Sequence, residues 1–436
     1  MARKAKQPQL SQLTRPPRAD TNELYEQLQA DLGKYGVVIQ KGGELEGRFD
    51  LRRPCGIPSL DIDTGGGLPA GGLSQIDGPD GSGKNMLAYR YCGKVQQLYG
   101  NETNIFMLCM EFPFDKEYAR YHGFKVPYSP YEIEVKQRAL VEQGLPPLSD
   151  EEVEELMSSE GLGNFHLLRG SAEANLDAVV EMIRSNAYQI GVIDSWDSML
   201  TAPEEEADLA DDPRIANASS VQTKWMKKVQ GALNPRKRCP ACFSLEMDFR
   251  KTQGSYSYSC SCGWKGKEVF LEENESTVIG IRQVRANMRR MSMRSREYTV
   301  GGAWALKHGK LIDIQLRPGE QMMSKDGKTK IGKEINYELT KGKAGTHEGK
   351  KGSFRYFFGP PEVDVDHNFF TTSTTMGIIR RGGSVYYVDQ DDGEPLKFNG
   401  QGALLDAIAE TPDFKNLLWK RMLHKAGLHH IRHRDV

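Results

Sequence analysis

Short apolar runs separated by segments of helical spacing recur along the chain. The runs LSQID (73–77), NIFMLCME (104–111), YQIGVIDS (188–195), TVIGIRQ (277–283) and KLIDIQLR (310–317) have the length and continuity of strands buried on both faces. Between them, MLAYRYCGKVQQLYG (86–100), LDAVVEMIRSNA (176–187) and SSVQTKWMKKVQGAL (219–233) place apolar residues three and four apart, which predicts helices. Strands alternating with helices predict an α/β fold, a mostly parallel sheet covered on both sides. Upstream, TNELYEQLQADLGKYG sets Leu24, Leu28 and Leu32 at helical spacing, with Thr21 or Asn22 as the cap and Gly33 as the stop. A strand-like YGVVIQ follows it.

Two segments break the rhythm. Residues 128–163 are acidic and read as a solvated helical pair around a Pro-Pro hinge. Residues 235–272 hold four of the seven cysteines. Beyond a Lys/Gly-rich stretch, residues 346–427 read as a small C-terminal α/β domain, and 428–436 as a basic, His-rich tail. The first nineteen residues are basic and Gln/Pro-rich without an apolar core, so they read as a disordered arm and not as a secretory signal.

A chain of 436 residues with net charge −1 and 38% hydrophobic content exceeds one small core and suggests several domains. No apolar run approaches the roughly 20 residues that cross a bilayer, so no membrane partner is expected. Near-neutral charge argues against uniform coating of nucleic acid but leaves room for local basic patches. The odd cysteine total with one tight cluster points to a reducing compartment and a metal site.

Chemistry enters with GPDGSGKN, comprising Gly78, Pro79, Asp80, Gly81, Ser82, Gly83, Lys84 and Asn85. The pattern is that of a phosphate-binding loop, set between a strand and a helix as the motif requires. Glycines let backbone N–H groups curl around phosphate oxygens, Lys84 adds a charge, and the helix start adds its dipole. The next position normally carries a hydroxyl for Mg²⁺; here it is Asn85, whose amide oxygen is a neutral ligand of longer reach. Asp194 ends a buried strand and is the second acid for Mg²⁺, although an Asp there also serves as a helix cap. Glu111 ends the preceding strand, where a carboxylate can polarise an attacking water; a surface acid is the plain alternative.

CPAC, seventeen residues, and then CSC followed by GW describe a zinc ribbon. Cys239, Cys242, Cys260 and Cys262 would converge on one tetrahedral Zn²⁺ and leave no open position, so the role would be structural. The C-x-C knuckle is tighter than the usual C-x₂-C. The flanking PRKR, Tyr256, Tyr258 and Trp264 are compatible with nucleic acid and decide nothing alone.

Several stretches resemble the bacterial RecA recombinase family: PSLDIDTGGGLPAGGLSQIDGPDGSGK, MEFPFDKEYARYHG, VIDSWDSML, TVIGIRQVR, TVGGAWALK, LTKGK and MGIIRRGGSVYYVD. They occur in the family's order over roughly residues 20–234 and 270–415, and the cysteine insert is extra to the family at this place. The resemblance implies an ATPase core over 51–345, with residues 20–50 as an oligomerisation segment. It makes Glu111 the catalytic carboxylate, sets Asp115 and Tyr118 beside the adenine, and makes Gln283 the sensor that couples γ-phosphate to a DNA loop. It implies that Lys341 and Lys343 reach across a subunit interface to a neighbour's ATP, and hence a helical filament.

The DNA loop would span 284–300, with Arg285, Arg289, Arg290, Arg294 and Arg296, one acid in Glu297, three methionines, and Gly301 and Gly302 beyond. Such a basic segment suits phosphate contact with methionines wedged between bases. A first loop, EEEADLADDPRIANAS, is acidic apart from Arg214 and matches phosphate poorly, while Lys227 occupies a position resembling a DNA-contacting one. The expectation is a DNA-dependent ATPase in a bacterial or phage-infected cytoplasm, using ATP and Mg²⁺, that pairs single-stranded with double-stranded DNA. The competing readings are a filament or loading factor that has lost hydrolysis, and a RecA-fold motor.

Overall fold

The computed structural model describes Leu28, Asp31 and residues 49–111, 113–169, 172–195, 216–252, 255–286, 298–299, 308–390 and 393–432. The arm, the helix around Leu24 and YGVVIQ lie almost wholly outside them. The chain forms two compact units, one of 1–47 with 235–273 and the other of 48–234 with 274–436.

The larger unit is built on an eight-stranded sheet. Its strands in chain order are β1 (Gly72–Gly78), β2 (Asn104–Cys109), β3 (Asn164–Leu168), β4 (Ile190–Asp194), β5 (Thr277–Gln283), β6 (Ile312–Met323), β7 (Lys330–Lys341) and β8 (Lys351–Phe357). Their spatial order is β8-β7-β6-β1-β5-β4-β2-β3. β6, β1, β5, β4, β2 and β3 run parallel, and β7 and β8 extend the sheet antiparallel. The strands expected at 73–77, 104–111, 188–195, 277–283 and 310–317 are all present.

Alternation along these strands fills two cores. Ile105 and Met107 of β2 join Ile76, Ile279 and Ile314 on the face covered by helix α1 (Lys84–Tyr99). Phe106 and Leu108 join Leu73, Val278 and Ile193 on the other face. Leu176, Val179 and Ile183 of α2 (Ala172–Ser185) and Trp225, Met226 and Val229 of α3 (Ala216–Ala232) cover that side. Burial on both faces is why these strands read as continuous apolar runs.

The acidic stretch forms two helices, Pro130–Glu142 and Asp150–Met157. Each opens on a capping box, Ser129 with Glu132 and Ser149 with Glu152, which satisfies orphan N–H groups of the first turn. Toward the C-terminus, helices Val365–Thr375, Gly400–Glu410 and Pro412–Lys425 enclose a three-stranded antiparallel sheet around Phe370, Val388, Leu404 and Leu418. No helix among the described residues is long and apolar enough to cross a membrane.

The smaller unit is a cysteine-bearing ribbon. Met247–Thr252 and Ser255–Cys260 form a hairpin, extended by Lys265–Gly266. Arg236–Arg238 pairs antiparallel with Phe270–Glu272, which brings the two ends of the segment side by side.

Candidate nucleotide and metal sites

The carboxyl ends of the parallel strands gather the acids and the glycine loop. β1 delivers the chain to Gly78, and α1 begins at Lys84. The loop backbone requires glycine, as Gly78 and Gly83 show. A Cβ on Gly78 would lie 2.3 Å from Ser82 Oγ and 2.8 Å from the Leu316 carbonyl. Gly83 adopts φ +91°, a left-handed conformation that side chains disfavour. Lys84 Nζ donates to the carbonyl of Pro79 over 3.0 Å, so its ammonium rests on the loop's own backbone. Burial lowers the Lys84 pKa, with Asp80, Asp194 and Glu111 opposing. The Ser82 hydroxyl is buried without a hydrogen-bond partner among the described residues.

Asn85 Nδ2 donates to Asp194 Oδ2 over 2.8 Å. A carboxylate can only accept, so the amide nitrogen must face Asp194 and the amide oxygen remains as the possible cation ligand. A hydroxyl would combine both roles on one atom; the amide divides them between two. Burial pushes the Asp194 carboxyl up to about 6, the Asn85 amide pulls it down, and Glu111 and Lys84 act in opposite senses. Donor chemistry and proximity thus fit a Mg²⁺ held by Asn85 and Asp194. Glu111 Oε2 accepts from Ser195 Oγ over 2.9 Å, which ties it to the end of β4.

Gln283 closes β5 opposite Gly78. Its amide donates to Asp80 of the loop, and the next residue, Val284, donates its N–H to the Gly78 carbonyl over 3.1 Å. The strand that leads into the arginine-rich segment is therefore hydrogen-bonded to the phosphate loop through side chain and backbone.

No protein-family model matches the chain. Among curated relatives, Protein RecA of Thermotoga neapolitana is 24% identical over 405 residues, covering 92% of this chain and 91% of the relative. Protein RecA of Petrotoga mobilis is 25% identical over 409 residues, covering 92% and 88%. Protein RecA of a Nocardioides species is 23% identical over 410 residues, covering 94% and 92%. These relatives support a RecA-like family for this chain.

In this RecA-like core the remaining candidates fall into three groups. Near the loop, Asp115 caps helix Lys116–Tyr121 by accepting from the Tyr118 N–H over 3.0 Å. Tyr118 is 36% exposed, its ring centroid is 4.3 Å from that of His122, and Tyr356 adjoins it. A cleft of about 660 Å³, lined by Arg90, Lys94, His122 and Trp419 among others, lies along the later half of α1, and no loop residue lines it.

The second group sits at the far end of β7. Lys341 Nζ donates to the His308 carbonyl over 3.2 Å. Burial, with Lys343 and Lys310 repelling and Asp313 opposing, brings the Lys341 pKa down to about 8. Lys343 is exposed. The other end of β7 carries Lys333, whose ammonium contacts the Gly81 carbonyl of the loop. Lys333 and Lys341 are eight positions apart along the strand, roughly 25 Å at the usual rise. Lys341 and Lys343 therefore do not meet the phosphate loop of their own chain.

The third group belongs to the DNA-facing expectation. Arg285–Ala286 pairs antiparallel with Tyr298–Thr299. Arg289, Arg290, Arg294, Arg296, Glu297, Gly301, Gly302 and Arg214 lie outside the described residues, and only the backbone of Arg285 is described. Lys227 is exposed on α3, opposite the buried Trp225, Met226 and Val229.

The four clustered cysteines come together in the smaller unit. Their sulfurs all lie within 4.8 Å of one another, with Cys239 to Cys262 at 3.7 Å and Cys242 to Cys260 at 3.5 Å. A tetrahedral ion with bonds of about 2.3 Å demands sulfur separations of about 3.8 Å, so the thiols fit Zn²⁺. The backbone N–H of Cys262 holds the Cys260 pKa down at about 7, whereas Cys242, despite the Ser244 N–H, is pushed up to about 12 by the neighbouring thiols.

Three features had no motif to announce them. Lys333 lies in a stretch of lysines and glycines, and only the antiparallel return of β7 brings it to the loop. Ser195 is a common residue after a strand, and its bond to Glu111 depends on β4 lying next to β2. Behind the loop, Asp77, Asp313 and Lys310 are buried together, with Lys310 Nζ 2.5 Å from Asp313 and 4.0 Å from Asp77. Burial and the neighbouring Asp313 push the Asp77 carboxyl upward.

Proposed function

We propose that this protein is an ATP-dependent recombinase that polymerises on single-stranded DNA and promotes pairing and strand exchange with a duplex. The observation that carries the reading is the convergence of the loop, Asp194 and Glu111 at one sheet edge, with Gln283 bonded to Asp80 from the strand that enters the arginine-rich segment. The loop amides and Lys84 bind the β- and γ-phosphates, and Asp115 and Tyr118 border the adenine. Asn85 and Asp194 would hold Mg²⁺, which supplies charge neutralisation at the phosphates. Glu111 orients and deprotonates the attacking water. Gln283 exchanges Asp80 for the γ-phosphate, so nucleotide state is passed to the arginines that grip DNA.

Lys341 and Lys343, turned away from their own loop, complete a neighbour's site. ATP binding then favours the assembled filament, and hydrolysis releases it. Electron microscopy with single-stranded DNA and a non-hydrolysable ATP analogue tests this: helical nucleoprotein filaments are expected, whereas closed rings would favour a RecA-fold motor.

In the smaller unit, the cysteine site is proposed to hold one structural Zn²⁺. A second functional reading, an ATP-gated filament factor without hydrolysis, is favoured by Asn85 alone. Asn85→Thr addresses it. The substitution is expected to raise turnover and to sharpen the dependence on Mg²⁺, because one hydroxyl can then serve both Asp194 and the ion. Unchanged turnover and Mg²⁺ requirement would show that Asn85 does not set either.

A further inference from the structure

The phosphate loop holds two lysines from its own chain, although its motif contains one. Lys84 rests on the Pro79 carbonyl, and Lys333, from the start of β7, rests on the Gly81 carbonyl two residues further on. No carboxylate among the described residues pairs with Lys333; its other close neighbour is the Tyr356 ring, 5.8 Å from the ammonium. The nearest loop acid, Asp80, is already engaged by Gln283. Among the described residues Lys333 is thus a half-buried ammonium that faces a carbonyl oxygen and a ring, and burial lowers its pKa. Such a group gains from an incoming anion, because the anion restores what desolvation removed.

We propose that Lys333 is a phosphate-binding residue of the nucleotide site, and that it supplies in cis part of the neutralisation that Mg²⁺ otherwise provides. The inference rests on the ATP-site reading above and goes beyond it in naming a ligand group and its consequence. An ammonium has three donors on a flexible stem, so moving from a loop carbonyl to a phosphate oxygen cradled by the same loop needs only rotamer changes. Lys84 rests on a loop carbonyl in the same way. The need follows from Asn85, which offers a neutral oxygen of longer reach and is tied to Asp194 through its nitrogen. A site that grips Mg²⁺ less firmly leaves more of the triphosphate charge to fixed cations. Lys341 and Lys343, at the opposite end of the same strand, leave that task to Lys333 within one chain.

The test is ATP binding by calorimetry, with excess Mg²⁺ and with EDTA, for the intact chain, Lys333→Met and Lys333→Arg. The intact chain is expected to lose less than about tenfold in affinity on removal of Mg²⁺. Losing one charge-assisted contact should weaken ATP binding by Lys333→Met about 10- to 100-fold in EDTA, and clearly less with Mg²⁺ present. Lys333→Arg keeps the charge and should remain close to the intact chain. An unchanged ratio of the two affinities in Lys333→Met would overturn the proposal, because a lysine that merely props the loop affects both conditions alike. Should Lys333→Met not fold, a Lys333→Gln variant with the intact chain's ratio overturns it equally. If the intact chain binds no ATP under either condition, the nucleotide-site reading fails as well, and the two failures are distinguishable.

Discussion

Glu111→Gln is expected to lower single-stranded-DNA-stimulated ATP turnover by about 10²- to 10⁴-fold, the range lost with a general base. The amide can still accept from Ser195 Oγ, which now donates to Glu111 over 2.9 Å, so the side chain should keep its place. ATP affinity should therefore change little, and filaments formed on DNA should persist longer because hydrolysis no longer releases them. Turnover and nucleotide binding measured on the same preparation check this. Turnover near that of the intact chain would remove Glu111 from the chemistry. It would leave Asp194, which burial and the Glu111 charge help to hold at about 6, as the other strand-end acid beside the loop.

Stripping Zn²⁺ should have the largest effect on stability. Among its described residues the smaller unit has few strands and little apolar burial, with Phe243, Leu245 and Phe270 exposed. Such small ribbons take their folding energy from the ion, about 10–16 kcal/mol of apparent binding free energy at neutral pH. Protein with Cys239 and Cys262 both changed to serine is expected to contain no zinc and to lose hydrogen-exchange protection over the 247–260 hairpin. The intact chain should carry one Zn²⁺ per molecule. Full protection of that hairpin in a metal-free sample would show that packing, not a metal, holds it.

How much was legible beforehand varies by residue for physical reasons. The strands around Ile76, Met107 and Ile279 could be read because both sheet faces are buried, which leaves uninterrupted apolar runs. The phosphate loop could be read because its glycines answer backbone constraints, at Gly78 a contact of 2.3 Å with Ser82 and at Gly83 a positive φ. The four cysteines could be read because two close pairs suffice to define a tetrahedral site. The orientation of Asn85 could not: an amide has two different ends, and only the adjacent Asp194 selects the nitrogen. The Lys310–Asp313–Asp77 cluster was equally hidden, since only the pairing of β6 with β1 brings Lys310 and Asp313 to Asp77.

The sequence by itself determined the class of fold, the phosphate loop, the two acids at strand ends and the cysteine ribbon, because each depends on residues close together in the chain or on a repeating pattern. Only the tertiary structure decided which side chains meet. Strand order sets Glu111 beside Ser195 and Gln283 beside Asp80. The antiparallel return of β7 gives Lys333 to the phosphate loop and carries Lys341 about eight strand rises away. Contacts of that kind depend on strand order and direction, which local spacing does not encode.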